Sequence, residues 1–206
     1  MRKKEVFNVT FSAIMLSFAV VLELLFKFVL ILEMPNGGGL SLAMLPLIVA
    51  SIVCGFKYGV FVGIGYGLLD CFLLDGYSFS LASFLLDYML AYISVCIASL
   101  FRGKILDGKK WYFVLAVALV FVARWIFNSF SGIVNAEVWG YDQAFLEGMF
   151  GEGKGSTIWL YIYSFIIYNL PYLSVTCLMC AVVGILIYPV LFLKFLKTNE
   201  MDNEIE

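Results

Sequence analysis

Residues 33–46 read EMPNGGGLSLAMLP and form an irregular, glycine-rich piece between two strongly apolar segments near the N-terminus. Pro35 and Asn36 followed by Gly37, Gly38 and Gly39 cannot continue a helix, and glycines in a row admit positive-φ conformations that other residues resist. Two readings are open for this stretch. It is an ordinary turn between membrane helices, or a loop in which Pro35, Asn36, Gly37 and Gly38 fold back over a site while the rest of the chain builds a wall around it.

Working outward, the chain on both sides is too apolar for a soluble domain. Of 206 residues, 63% are hydrophobic and none is histidine, and the mean hydropathy is +1.00, against roughly 45–50% apolar usage in soluble proteins. This composition predicts an integral membrane protein. Aromatic residues make up 17%, enough to supply interfacial belts or to line a cavity. A net charge of −2 without a basic groove argues against nucleic acid. Cys54, Cys71, Cys96, Cys177 and Cys180 all lie in apolar segments, where thiols act as small hydrophobes. Neither a disulfide framework nor a metal site is expected, because the C-x-x-C of Cys177 and Cys180 has no histidine or carboxylate neighbours. The charged start Met1-Arg2-Lys3-Lys4 resembles that of a signal peptide, but the apolar run behind it is too long and lacks a small-residue cleavage site.

A membrane helix needs ~20 apolar residues, and the hydropathy resolves into six spans, at about 8–32, 41–54, 58–74, 81–101, 112–135 and 159–193. Short spans can be sheltered inside a bundle, and a long one must tilt or project. With the N-terminus inside, ten basic residues fall on cytoplasmic segments and only Lys154 on an outer one, as the positive-inside rule requires. The expected fold is therefore all-α: a bundle of six transmembrane helices with cytoplasmic N- and C-termini, spanning 1–197. The acidic tail 198–206 is expected to be disordered. The 33–46 loop and the loop 136–158, with Glu137, Asp142, Glu147 and Glu152, then face outward.

Within the spans, small and polar residues fall into patterns. Ala13 and Ser17 lie one turn apart on one face, a small-residue pair that suits docking to a partner membrane protein. Glu23 and Lys27 have the same spacing and are expected to neutralise each other near the outer interface. Gly55, Gly59, Gly63 and Gly67 recur at every fourth position, a smooth stripe for close helix packing that Gly65 widens. The run lacks the Lys-Ser/Thr end of a nucleotide loop. Tyr77 sits in an outer turn, and Asp87-Tyr88 follows in SFLLDYMLAY. A carboxylate inside a membrane helix costs several kcal/mol unless it is paired or faces a wet cavity, so Asp87 is either a functional group or a partner of Arg124. In ARWIFNSFSGIVNA, Arg124, Asn128 and Ser131 share one face, with Gly132 one turn beyond Asn128. Tyr161, Tyr163, Tyr168, Asn169 and Tyr172 crowd the outer end of the last span, where Pro171 is expected to kink the helix.

In a bundle, Asp87, Tyr88, Asn128, Tyr163 and Asn169 converge beneath the glycine loop. A carboxylate, two amides and several π faces suit a flat, cationic or amino-bearing heteroaromatic molecule. No nucleophile–base pair exists and no cofactor is called for, so binding and transport fit better than catalysis.

These residues also carry a resemblance. MPNGG followed by SLAMLP, the four-glycine third span, FLLDY-x-LAY, R-W-x-x-N-x-x-S-G and YSFIIYN resemble, in order and spacing over most of the chain, the thiamine-specific S-components of energy-coupling factor (ECF) vitamin transporters. The resemblance implies a prokaryotic plasma-membrane protein of six helices with a high-affinity site near the outer face, closed by the first loop. It also implies borrowed energy: a transmembrane coupling protein, docked on the stripe that Ala13 and Ser17 resemble, and two ATPases, with the S-component toppling in the lipid bilayer to release its vitamin inward. Tyr77, Asp87 and Tyr88 keep the family spacing and Gly132 matches. Asn128 stands where histidine is usual and Ala136 where an aromatic is common. Tyr163 and Asn169 are six apart rather than five, and loop 136–158 is longer than usual; Trp139 or Trp159 is available as a substitute stacking surface. The expected ligand set is Tyr77, Asp87, Tyr88, Asn128, Gly132, Tyr163 and Asn169 around thiamine. The alternatives are a hydroxymethylpyrimidine or thiazole precursor in the same fold, an intramembrane enzyme acting on lipid head groups, and a structural subunit without a ligand.

Overall fold

The structure, a computed structural model, describes residues 3–30, 34, 38–75, 80–190 and 192. Tyr77, the lid residues Pro35, Asn36 and Gly37, and the tail 198–206 lie outside the described residues. Among the described residues seven helices carry the fold: α1 (Lys3–Phe28), α2 (Met44–Cys54), α3 (Phe56–Leu74), α4 (Leu81–Leu106), α5 (Lys110–Val134), a short α6 (Gln143–Phe150) and α7 (Thr157–Tyr188). All but α2 and α6 are long and apolar enough to cross a membrane. Their outer faces carry the large exposed hydrophobics, among them Phe72, Leu100, Leu178 and Leu186. In water such surfaces would aggregate, and in a bilayer they are the lipid contact.

Helix α2 explains why a short span is tolerated. At about 1.5 Å per residue, its eleven residues reach roughly half of a ~30 Å hydrocarbon core. All eleven are buried, packed against α1, α3 and α4. It is the centre of the bundle and meets protein rather than lipid, so no mismatch arises.

The glycine stripe does what its spacing predicts, with two corrections. A Cβ at Gly59 would lie 2.9 Å from the Cα of Cys96, and one at Gly63 would lie 2.8 Å from the Cα of Ile93. A Cβ at Gly67 would strike the carbonyl of Tyr88. These three glycines let α3 and α4 touch backbone to backbone. Gly55, expected to be the first of the stripe, is instead the joint between α2 and α3, with φ +95°. Gly65 looks the other way, toward Leu16 of α1.

Four helices carry stretches that are not regular α-helix. Phe26–Leu30 at the end of α1, Asp70–Asp75 at the end of α3, Phe84–Leu90 near the start of α4 and Tyr163–Asn169 in α7 are wound as π-helix. The last of these ends just before Pro171, the residue expected to bend the helix. Loop 136–158 holds α6, which begins where the Asp142 side chain accepts from the Phe145 amide at 2.8 Å.

Candidate ligand-binding site

The site is built at one end of the bundle, from the first half of α4, the last half of α5 and the first half of α7. Ser80 caps α4 by accepting from the Ser83 amide at 3.0 Å, and its own hydroxyl donates to Asn135 Oδ1 at the end of α5. Asn135 Nδ2 in turn donates to the Ser131 carbonyl at 2.8 Å. This knot sets the register of α4 on α5 and brings Asp87 opposite Ser131. Both Ser131 (2.5 Å) and Ser83 (3.0 Å) donate to Asp87 Oδ2, while Oδ1 takes no hydrogen bond from the described residues. One oxygen is thus fixed and the other is left for something else.

A second chain of hydrogen bonds runs between α5 and α7. Asn128 Nδ2 donates to the Tyr172 hydroxyl at 3.1 Å, which donates to Asn169 Oδ1 at 3.0 Å; Asn169 Nδ2 then donates to the Ser164 carbonyl at 2.9 Å. Asn128 Oδ1 is buried without a partner among the described residues. Gly132 gives α7 room to approach, since a Cβ there would meet the Ser164 hydroxyl. That hydroxyl donates to the Ser129 carbonyl at 2.7 Å.

Between these walls lies a half-open hollow of about 80 Å³. Asp87, Tyr88, Asn128, Gly132, Tyr163 and Asn169 all line it. Gly38, the described member of the expected lid, is among its linings: with φ +80°, it packs so closely on Tyr172 that a Cβ would come 3.0 Å from the ring. The Gly38 carbonyl accepts from the Met34 amide at 2.7 Å.

Several lining residues are absent from the ligand set expected on sequence grounds. Asp70, 3% exposed, receives the Tyr92 hydroxyl at 2.5 Å, and Arg124 donates to that same hydroxyl at 3.1 Å while lying 4.7 Å from the Tyr92 ring centroid. Arg124 therefore does not pair with Asp87. The rule that draws attention to Asp87, a carboxylate in an apolar span, applies equally to Asp70 in YGLLDCF. Glu23 likewise takes its hydrogen bonds from Ser41 and Tyr66, at 3.2 Å for the latter, rather than from Lys27, which donates to the Leu74 carbonyl at 2.7 Å. Trp139 and Tyr141, from loop 136–158, also line the hollow. Tyr141, Phe145 and Tyr163 form a ring cluster at centroid distances of 4.8–5.2 Å that holds this loop on α7 and takes in Ala136. Of the two tryptophans available as a substitute stacking surface, Trp139 is in place, whereas Trp159 packs on Phe150 at 4.9 Å, away from the hollow. Among the described residues no three of His, Cys, Asp and Glu gather as a metal site.

An apolar multi-helix bundle with an aromatic, carboxylate-bearing hollow at one end defines a multi-pass membrane protein that holds a small molecule. The model of the family described as thiamine transporter protein (Thia_YuaJ) matches residues 9–196, and the chain belongs to that family. The thiamine transporter ThiT of Bacillus subtilis (strain 168) is 28% identical over 195 residues, 91% of this chain and 93% of that one. A solved structure of ThiT from Listeria monocytogenes shares the fold, with a TM-score of 0.68 over 92% of this chain and 99% of that one at 20% identity. The protein is a multi-pass plasma-membrane protein of a thiamine transporter family and not an enzyme, which sets aside the lipid-head-group reading.

Proposed function

We propose that the protein is the thiamine-binding S-component of an ECF-type transporter, taking the vitamin from outside and releasing it inward when joined to a coupling protein and two ATPases. The observation that carries the binding half is Asp87. Its carboxylate is fixed by Ser83 and Ser131 through one oxygen and left open at the other, in a hollow walled by tyrosines. A thiazolium cation gains from such a carboxylate and from tyrosine faces, and the aminopyrimidine amine matches the unpaired Asn128 Oδ1. In this reading Tyr88 and Tyr163 are walls, Asn169 is a polar anchor, Gly132 keeps the two helices close, and Trp139 takes the stacking place that Ala136 leaves empty. Tyr77 joins the set on its spacing, and Pro35, Asn36, Gly37 and Gly38 form the lid.

Support for the coupling half comes from α1. Ala13 and Ser17 lie on its outer side, and the Ser17 hydroxyl turns back to the Ala13 carbonyl at 3.0 Å, leaving a smooth face without polar arms. The test is thiamine uptake into vesicles. Uptake should require the coupling protein and ATP, and Ala13→Trp should stop uptake while leaving thiamine binding intact. Uptake by this chain alone, or a normal rate in Ala13→Trp, would refute the coupling half.

A further inference from the structure

The main hollow has a neighbour. Gly38, Tyr92 and Arg124, all on its wall, also line a smaller hollow of about 20 Å³, room for one water-sized group such as a hydroxyl, which extends to Glu23, Ser41 and Tyr66. Polar groups in this annex are only half satisfied. Ser41 and Tyr66 both donate to Glu23 Oε2, and Glu23 Oε1 accepts nothing from the described residues. On the shared wall, Arg124 Nε is buried and donates to none of them. If Glu23 served only to tie α1 to the loop and to α3, the Oε2 bonds would suffice. A carboxylate oxygen lacking a donor and a guanidinium N–H lacking an acceptor, on one chamber, call for a group that both donates and accepts. A hydroxyl is such a group.

We infer that the annex is a subsite for a neutral, hydroxyl-bearing arm of the ligand and that Glu23 is the residue that selects it. The inference rests on the thiamine reading, since thiamine carries a hydroxyethyl arm on its thiazolium ring. It also gives a reason for rejecting the phosphorylated vitamin. Phosphate on that arm would face Glu23 and Asp70, with Arg124 the single basic residue among the described linings of both hollows.

The test is calorimetric titration of the purified full chain, wild type and Glu23→Gln, with thiamine, with an analogue bearing ethyl in place of hydroxyethyl, and with thiamine monophosphate. A hydrogen bond to a charged group predicts that the ethyl analogue binds the wild type about tenfold or more weakly than thiamine does. Glu23→Gln should weaken thiamine without further weakening the ethyl analogue, and should narrow the gap between thiamine and its monophosphate. If the wild type binds thiamine and the ethyl analogue within roughly twofold of each other, the annex is no subsite and the thiamine reading stands. If the folded wild type binds neither, the thiamine reading fails and takes this inference with it.

Discussion

Arg124 donates to the Tyr92 hydroxyl at 3.1 Å and lies 4.7 Å over its ring, while the same hydroxyl donates to Asp70. The arginine is thereby held on the Tyr92 ring and linked through its hydroxyl to Asp70, and Asp87 keeps an oxygen without a hydrogen bond from the described residues. Two carboxylates on neighbouring helices, Asp70 on α3 and Asp87 on α4, thus have different employment: one takes the hydroxyl that Arg124 also bonds and the other is available to a cation.

Removing Arg124 should therefore cost stability. Arg124→Leu takes away a charged donor to the Tyr92 hydroxyl, which itself serves the buried Asp70, a change that destabilises by about 1–3 kcal/mol. Thermal unfolding in detergent should show a large drop in midpoint for Arg124→Leu and little change for Asp87→Asn. Equal drops would mean that Asp87 is as structural as Asp70.

The α3–α4 contact should tolerate no side chain. At Gly63 the nearest atoms are backbone atoms of Tyr92 and Ile93, which cannot rotate away, so Gly63→Val should cost roughly 1–3 kcal/mol or more. At Gly148 in α6 an added methyl would meet nothing within 4 Å, and Gly148→Ala should be neutral or slightly stabilising. Size-exclusion profiles and melting curves of the two variants would check this, and a stable, monodisperse Gly63→Val would contradict the packing.

Trp139 should be the optical reporter of the site. Trp125 is held by a 2.8 Å bond to the Phe165 carbonyl, Trp159 packs on Phe150, and Trp111 is exposed at the other end of α5. Thiamine should quench intrinsic fluorescence in the wild type and in Trp159→Phe, and the quench should vanish in Trp139→Phe. Quenching that survives in Trp139→Phe would remove that residue from the ligand's neighbourhood.

Much of this is legible in the chain, for a physical reason. Polar groups in apolar spans are costly and must turn inward, so Asp87, Asn128 and Asn169 point to the hollow from the sequence alone. The glycine spacing likewise announces a close helix pair. Asp70 obeys the same rule as fully as Asp87 does. Trp139 and Tyr141 have no such signal, because a loop has no period to fix which way a residue faces. The π-helical turns at Asp70–Asp75, Phe84–Leu90 and Tyr163–Asn169 are also hidden, since hydropathy averages over a turn. They bear on the spacing of six between Tyr163 and Asn169, because an extra residue per turn changes which side chains share a face. That α2 sits at the centre follows from packing partners that hydropathy does not encode.

The most direct test of the central claim is titration of the purified protein with thiamine, comparing wild type with Asp87→Ala. Loss of a charge-assisted contact in a shielded site predicts tight, saturable binding by the wild type and affinity lower by about two orders of magnitude or more in a folded Asp87→Ala. Binding of equal strength in both would contradict the account, because the open carboxylate oxygen would then have no part in holding the ligand.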